Sequence, residues 1–132
     1  MVKKGNIVLI LTDKKIHKDQ LTIPAPMAVG AIHHKLIDSG LRCDTNLIVE
    51  TGSARNPHHF AVLLGYGATA IYPYLSFELI FELINKNNKS NDYTKSVSNY
   101  IRGINKGIFK IMSKMGISCA VSYTHLTLPT KA

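Results

Sequence analysis

Three short apolar runs, each followed by a helix-length amphipathic stretch, restrict this chain more than any other feature. They are NIVLILT (6–12), TNLIVET (45–51) and ATAIYP (68–73). A run that is apolar at nearly every position predicts a strand buried on both faces of a parallel sheet. Between the runs lies APMAVGAIHHKLIDSG (25–40), with Ala28, Ala31, Ile32 and Leu36 at helical spacing and Gly40 as a stop. Asn56 offers an N-cap, and Pro57 the first helical position, for HHFAVLLGYG (58–67). YLSFELIFELINK (74–86) forms the third helical stretch. The order β-α-β-α-β-α predicts an α/β fold of alternating units around a parallel sheet, with right-handed crossovers. Three such units do not close a barrel, which needs eight. An open three-stranded sheet would leave both edges bare, so the arithmetic points to a piece of something larger.

The rest of the chain reads differently. NNKSND (87–92) is an expected loop. A long helix is expected from Thr94 to Met115, with a narrow apolar stripe of Val97, Ile101, Ile104, Ile108, Ile111 and Met115. Gly103 and Gly107 interrupt it at about 1 kcal/mol each relative to alanine, which is the mark of close packing against a neighbour. At 132 residues there is room for one modest core. No apolar run is long enough to cross a bilayer. The basic start and short apolar run of MVKKGNIVLI are followed by TDKKIHKDQ, not by a small-residue cleavage site, so a strand is the better reading than a signal peptide.

The net charge of +8 raises a second possibility, a small basic α/β nucleic-acid-binding module. Lys86, Lys89 and Lys95 lead into Arg102, Lys106, Lys110 and Lys114, which recur every four residues down one helix side. No aromatic series or glycine-rich phosphate loop accompanies them, so a solvated helix face is the plainer account. Cys43 and Cys119 have no chelating spacing and read as reduced thiols of a cytoplasmic protein.

Candidate chemistry is sparse. His33–His34 and His58–His59 are adjacent pairs, whereas chelation on a helix wants neighbours at i and i+4. His17 lies in a polar loop near Asp19 with nothing to specify it as a base. Asp13, Glu50 and Ser53 fall at the carboxyl ends of the first two strands, the edge where parallel sheets bind ligands, so they carry the best prior for a site; loop capping is the alternative. A small hydrolase built on them would lack a paired base and nucleophile. Gly65 and Gly67 follow a helix instead of a strand and read as a helix stop and turn, not a dinucleotide loop.

Longer strings carry a resemblance. LILTD, IPAPMAVGAIHHKLI, GLR and IVETGSARNPHHFAVLLGYGATAIYPYLSFE together resemble the central domain of the glutamate synthase large chain. NYIRGINKGIFKIMSKMGIS (99–118) resembles the family's lead-in to its flavin domain. The likeness covers about residues 5 to 118, with departures at Tyr72 and at Asn56–Pro57. It implies a partial, barrel-related central domain over 1–92 and a helical lead-in over 93–120. It also implies an enzyme making two glutamates from glutamine, 2-oxoglutarate and reductant. In that family an amidotransferase domain releases ammonia, which tunnels to a flavin domain where reduced FMN delivers hydride to the imine of 2-oxoglutarate. An iron–sulfur cluster feeds electrons from a small NADPH-oxidising subunit or from ferredoxin. The resemblance places the nucleophilic cysteine, cluster cysteines and flavin loops outside these residues. The expectation is therefore a segment with no catalytic, cofactor or metal residues of its own, in which Cys43 and Cys119 have no such role. The family pattern continues upstream of Met1, so an internal methionine is expected there.

The tail has another source. The DNA string GTCTCTTATACACATCTGACGCTGCCGACG, which resembles a transposon-end adapter of sequencing libraries, translates to Val121 through Thr130 residue for residue. Residues 121–132 are accordingly expected to be adapter read-through and not native.

Overall fold

The computed structural model describes residues 2, 5, 7–86 and 93–119; the expected loop over 87–92 and the tail from 120 onward lie outside them. The apolar runs form β1 (Val8–Thr12), β2 (Asn46–Glu50) and β3 (Ala70–Tyr72). The helices are α1 (Ala25–Asp38), α2 (Pro57–Gly65), α3 (Tyr74–Lys86) and α4 (Tyr93–Met115). This is the expected α/β alternation followed by a long helix.

The strands lie in the order β1-β2-β3, all parallel. Their register sets Leu9 beside Leu47, and aligns Leu11, Val49 and Ile71 in one row. That row meets Val29 of α1, Phe60 and Leu63 of α2 and Ile104 of α4 in a single core. Full burial of Leu47 and Val49 contributes roughly 1.5–3 kcal/mol each.

Among the described residues only this face of the sheet is covered. On the other, Val8 is 42% exposed, Ile10 61% and Tyr72 46%. The expectation of strands buried on both faces therefore fails for β1. The reason is topological: sequential strand order with crossovers of one hand puts α1 and α2 on the same side.

Local chemistry ends the helices where the sequence places glycine. Gly40, Gly67 and Gly116 take positive φ (67°, 108° and 70°), and the next residue's N–H bonds back to a helix carbonyl. These bonds are Leu41 to Leu36 (2.9 Å), Ala68 to Leu63 (3.0 Å) and Ile117 to Met112 (2.9 Å), the glycine-terminated Schellman arrangement. At the start of α2, Asn56 Oδ1 accepts from the backbone N–H groups of His58 (3.0 Å) and His59 (3.2 Å), with Pro57 following as the sequence predicts.

The buried faces of two helices are rotated from their expected positions. In α1 the buried residues are Val29, Gly30, His33 and Leu36, while Ala31 is exposed. In α4 they are Ile104 and Met112, and Ile101 and Met115 remain 45% exposed. Tyr100 helps set that second face: its ring packs edge-on against Phe77 at 6.0 Å and its hydroxyl donates to Arg55 O at 3.1 Å.

Of the two α4 glycines, Gly107 lies against Pro57, whose ring a Cβ there would overlap, whereas Gly103 faces open space. Only Gly107 is thus a packing glycine. Gly107→Ala should destabilise the chain by about 1–3 kcal/mol through overpacking, while Gly103→Ala should stabilise it by up to about 1 kcal/mol through helix propensity. Paired denaturant melts check the difference in sign.

Candidate functional site

Parallel pairing brings the carboxyl ends of β1 and β2 together, and with them Asp13, Glu50 and Ser53. The backbone continues the ladder beyond the strands: Asp13 N–H donates to Glu50 O (3.2 Å) and Thr51 N–H to Tyr72 O (3.1 Å). The Asp13 carboxylate then turns onto the 51–53 turn. Its Oδ2 accepts the Thr51 hydroxyl at 2.5 Å, and both oxygens accept Gly52 N–H at 3.1 and 3.3 Å. The Tyr74 hydroxyl donates to the same carboxylate. Ser53 Oγ lies 2.9 Å from Thr51 Oγ1, and among the described residues no histidine joins it. Glu50 Oε2 accepts the Thr12 hydroxyl at 2.7 Å, whose oxygen in turn accepts Lys14 N–H at 3.1 Å.

The three candidates therefore do converge, but on one another's loops. Asp13 directs its lone pairs at the backbone and hydroxyls of a neighbouring turn, which is capping chemistry, and Ser53 lacks a base. Sequence reasoning missed Thr51 and Tyr74. Thr51 continues the inward alternation of Leu47 and Val49 and is 1% exposed, so alternation alone marks it as a buried hydroxyl needing a partner. Tyr74 carries no such signal, because its role depends on the β3–α3 junction folding over Gly52. Burial of the Tyr74 phenol, then its bond to Asp13 and the charges of Asp13, Glu78 and Glu50, raise its pKa above the ordinary 10.0. Lys14 spans the rim outside, 5.3 Å over the Tyr74 ring and 4.0 Å from Glu78 Oε1, both charges being exposed.

A second polar cluster ties the opposite, amino edge of the sheet. Arg42 donates through Nε to His33 Nδ1 (2.9 Å), through Nη1 to Thr45 O (2.7 Å) and through Nη2 to Gly67 O (2.9 Å). His33 is 5% exposed and sits where a Cβ at Gly67 would be, so glycine is required there by contact as well as by φ. His33 is thus a structural core histidine. His34, His58 and His59 are exposed, and His59 Nδ1 accepts Arg55 N–H at 3.2 Å.

Among the described residues no group of three or more His, Cys, Asp or Glu is gathered to hold a metal ion, and Cys43 and Cys119 are exposed. These residues do not fit the ligand set of an iron–sulfur cluster. Arg102, Lys106, Lys110 and Lys114 are exposed on α4, the solvated face that their spacing predicts. Among the described residues no helix is long and apolar enough to cross a membrane.

Arg42→Lys keeps the charge but cannot form the three-way fork, and should lower stability by about 2–4 kcal/mol in chemical denaturation. Tyr74 favours its neutral form in the folded state, so its contribution is present below pH 10.0 and is lost as pH rises through its raised pKa. Denaturation midpoints of the parent and Tyr74→Phe should therefore differ at neutral pH and converge at alkaline pH.

Comparison with known proteins places these features in a family. The chain matches the model described as Glutamate synthase central domain over residues 1–128. It is 45% identical over 122 residues to the Glutamate synthase [NADPH] large chain of Bacillus subtilis (strain 168), covering 92% of this chain and 8% of that one. Identity to Glutamate synthase [NADH] of Saccharomyces cerevisiae is 40% over 130 residues, covering 92% and 6%. Identity to Ferredoxin-dependent glutamate synthase 2 of Synechocystis sp. is 40% over 136 residues, covering 92% and 9%. The chain thus spans less than a tenth of the length of these relatives. With its parallel βα units, glycine-stopped helices and family match, this chain belongs to the glutamate synthase family, within its central domain.

Proposed function

We propose that this chain is a structural segment of a glutamate synthase large chain, an oxidoreductase acting on CH–NH2 donors in the cytoplasm. The whole enzyme converts glutamine, 2-oxoglutarate and reductant into two glutamates. Its other domains (amidotransferase, FMN and C-terminal) are this segment's partners. A small NADPH-oxidising subunit or ferredoxin supplies the electrons, and the FMN and iron–sulfur cluster belong to those other domains. This segment stands between the ammonia-releasing and ammonia-using sites and supports the passage between them. The observation that carries the reading is the family match over nearly the whole chain. The inward use of Asp13, Thr51 and Tyr74 agrees with it, since these groups brace the carboxyl-edge loops of β1–β3.

In this reading the residues position backbone and hold no reacting atom. Asp13 fixes the 51–53 turn, Glu50 fixes Thr12, and Arg42 fixes the strand entrances. The purified chain is expected to show no flavin absorbance and to release no ammonia from glutamine. Stoichiometric flavin, or glutaminase activity that survives Cys43→Ser and Cys119→Ser, would overturn the proposal.

A further inference from the structure

His33 belongs to α1, yet its buried ring takes part in a joint among three other pieces of chain. Nδ1 accepts the Arg42 Nε–H at 2.9 Å, and a guanidinium has donors but no acceptor. A nitrogen that accepts carries no hydrogen, so the folded chain needs the neutral ring with its hydrogen on Nε2. The guanidinium is held on its other side, donating to Thr45 O at 2.7 Å and to Gly67 O at 2.9 Å. It cannot swing away from the ring while the entrance of β2 and the Gly67 turn keep their places. The ring has as little room. It fills the space where a Cβ at Gly67 would stand, and the Tyr66 ring closes in the same way on Gly30, one turn earlier in α1.

Proton uptake at Nδ1 turns this joint against itself. The imidazolium donates from both nitrogens, so Nδ1–H faces Nε–H, and two cations meet across the 2.9 Å that the hydrogen bond had spanned. Such repulsion is strong where water is excluded. On α1 the nearest titratable neighbour is His34, another base, with its ring edge-on at 5.8 Å. The loop before β2 brings Arg42 and, two residues on, Asp44, which is exposed and screened by water. The end of α2 brings the Tyr66 phenol, while Thr45 and Gly67 bring carbonyls already taken by Arg42. Relief requires α1 to part from the Gly67 turn.

We propose that His33 and Arg42 form a proton-operated latch. Neutral His33 closes α1 onto the entrance of β2 and the turn from α2 into β3, and protonated His33 opens that joint. The latch lies away from the carboxyl-edge cluster and does not depend on the reading of the chain as an enzyme segment. Its direction follows from linkage. The unfolded chain takes up the histidine proton near the ordinary value of about 6.5, whereas the closed latch excludes it. The stability it contributes is complete above that value and is lost as pH falls below it.

Thermal melts of the 132-residue chain at about pH 7.5 and about pH 5.5, on either side of the histidine range, test the latch. The parent should lose about 5 °C or more on acidification. His33→Asn keeps an oxygen acceptor near the Nδ1 position and takes up no proton. Whatever its stability at neutral pH, it should lose about 2 °C or less over the same range. His34→Asn, one position along and exposed, should lose as much as the parent. Equal losses in the parent and His33→Asn overturn the proposal. Imidazole nitrogen NMR of the parent gives a reading for which no variant has to fold. His33 should hold the Nε2–H form at neutral pH and keep it below about pH 6.5; an Nδ1–H form, or protonation at that ordinary value, overturns the proposal as well.

Discussion

The Arg42 guanidinium holds together three pieces of chain that hydrophobic contact alone would leave loosely related. A planar fork with fixed donor directions can satisfy a helix histidine and two carbonyls at once, and an ammonium cannot. By reaching His33, Thr45 O and Gly67 O it ties the second half of α1 to the entrance of β2 and to the turn from α2 into β3. The core row of Leu11, Val49 and Ile71 can align only if those entrances are level. Asp13 does the corresponding work at the far end through Thr51, Gly52 and Tyr74. The sheet is thus pinned at both ends by a buried or half-buried polar group, with the apolar row between them.

This arrangement explains why residues that look chemical are quiet. A carboxylate at the carboxyl edge of a parallel sheet stands where barrel enzymes place catalytic groups. In this chain the neighbouring turn supplies it with donors, and the result is a brace. The two histidine pairs divide in the same way, one member of the first entering the core while the others remain at the surface.

Much of the fold was legible because it is written locally. Apolar runs, the Asn56–Pro57 start and the glycine stops each act within a few residues, and the strands and helices fall close to their expected bounds. What was not legible depends on the third dimension. The spacing of Ala28, Ala31, Ile32 and Leu36 describes an apolar stripe, yet the buried one runs through Val29, Gly30 and His33, because Gly30 and His33 meet Tyr66 and Gly67 across the helix pair. Likewise Gly103 and Gly107 look equivalent in sequence, and only the path of α4 over Pro57 separates them. At the site, Asp13, Glu50 and Ser53 were found by topology, whereas Tyr74 needed the folded junction.

The polar ties share one further property, their short reach along the chain. Asp13 to Thr51 spans 38 residues, Arg42 to Gly67 spans 25 and Tyr100 to Arg55 spans 45. The partners in these three ties are therefore synthesised within one short window of translation. These ties can close as soon as the residues that make them have left the ribosome, without waiting for chain made later.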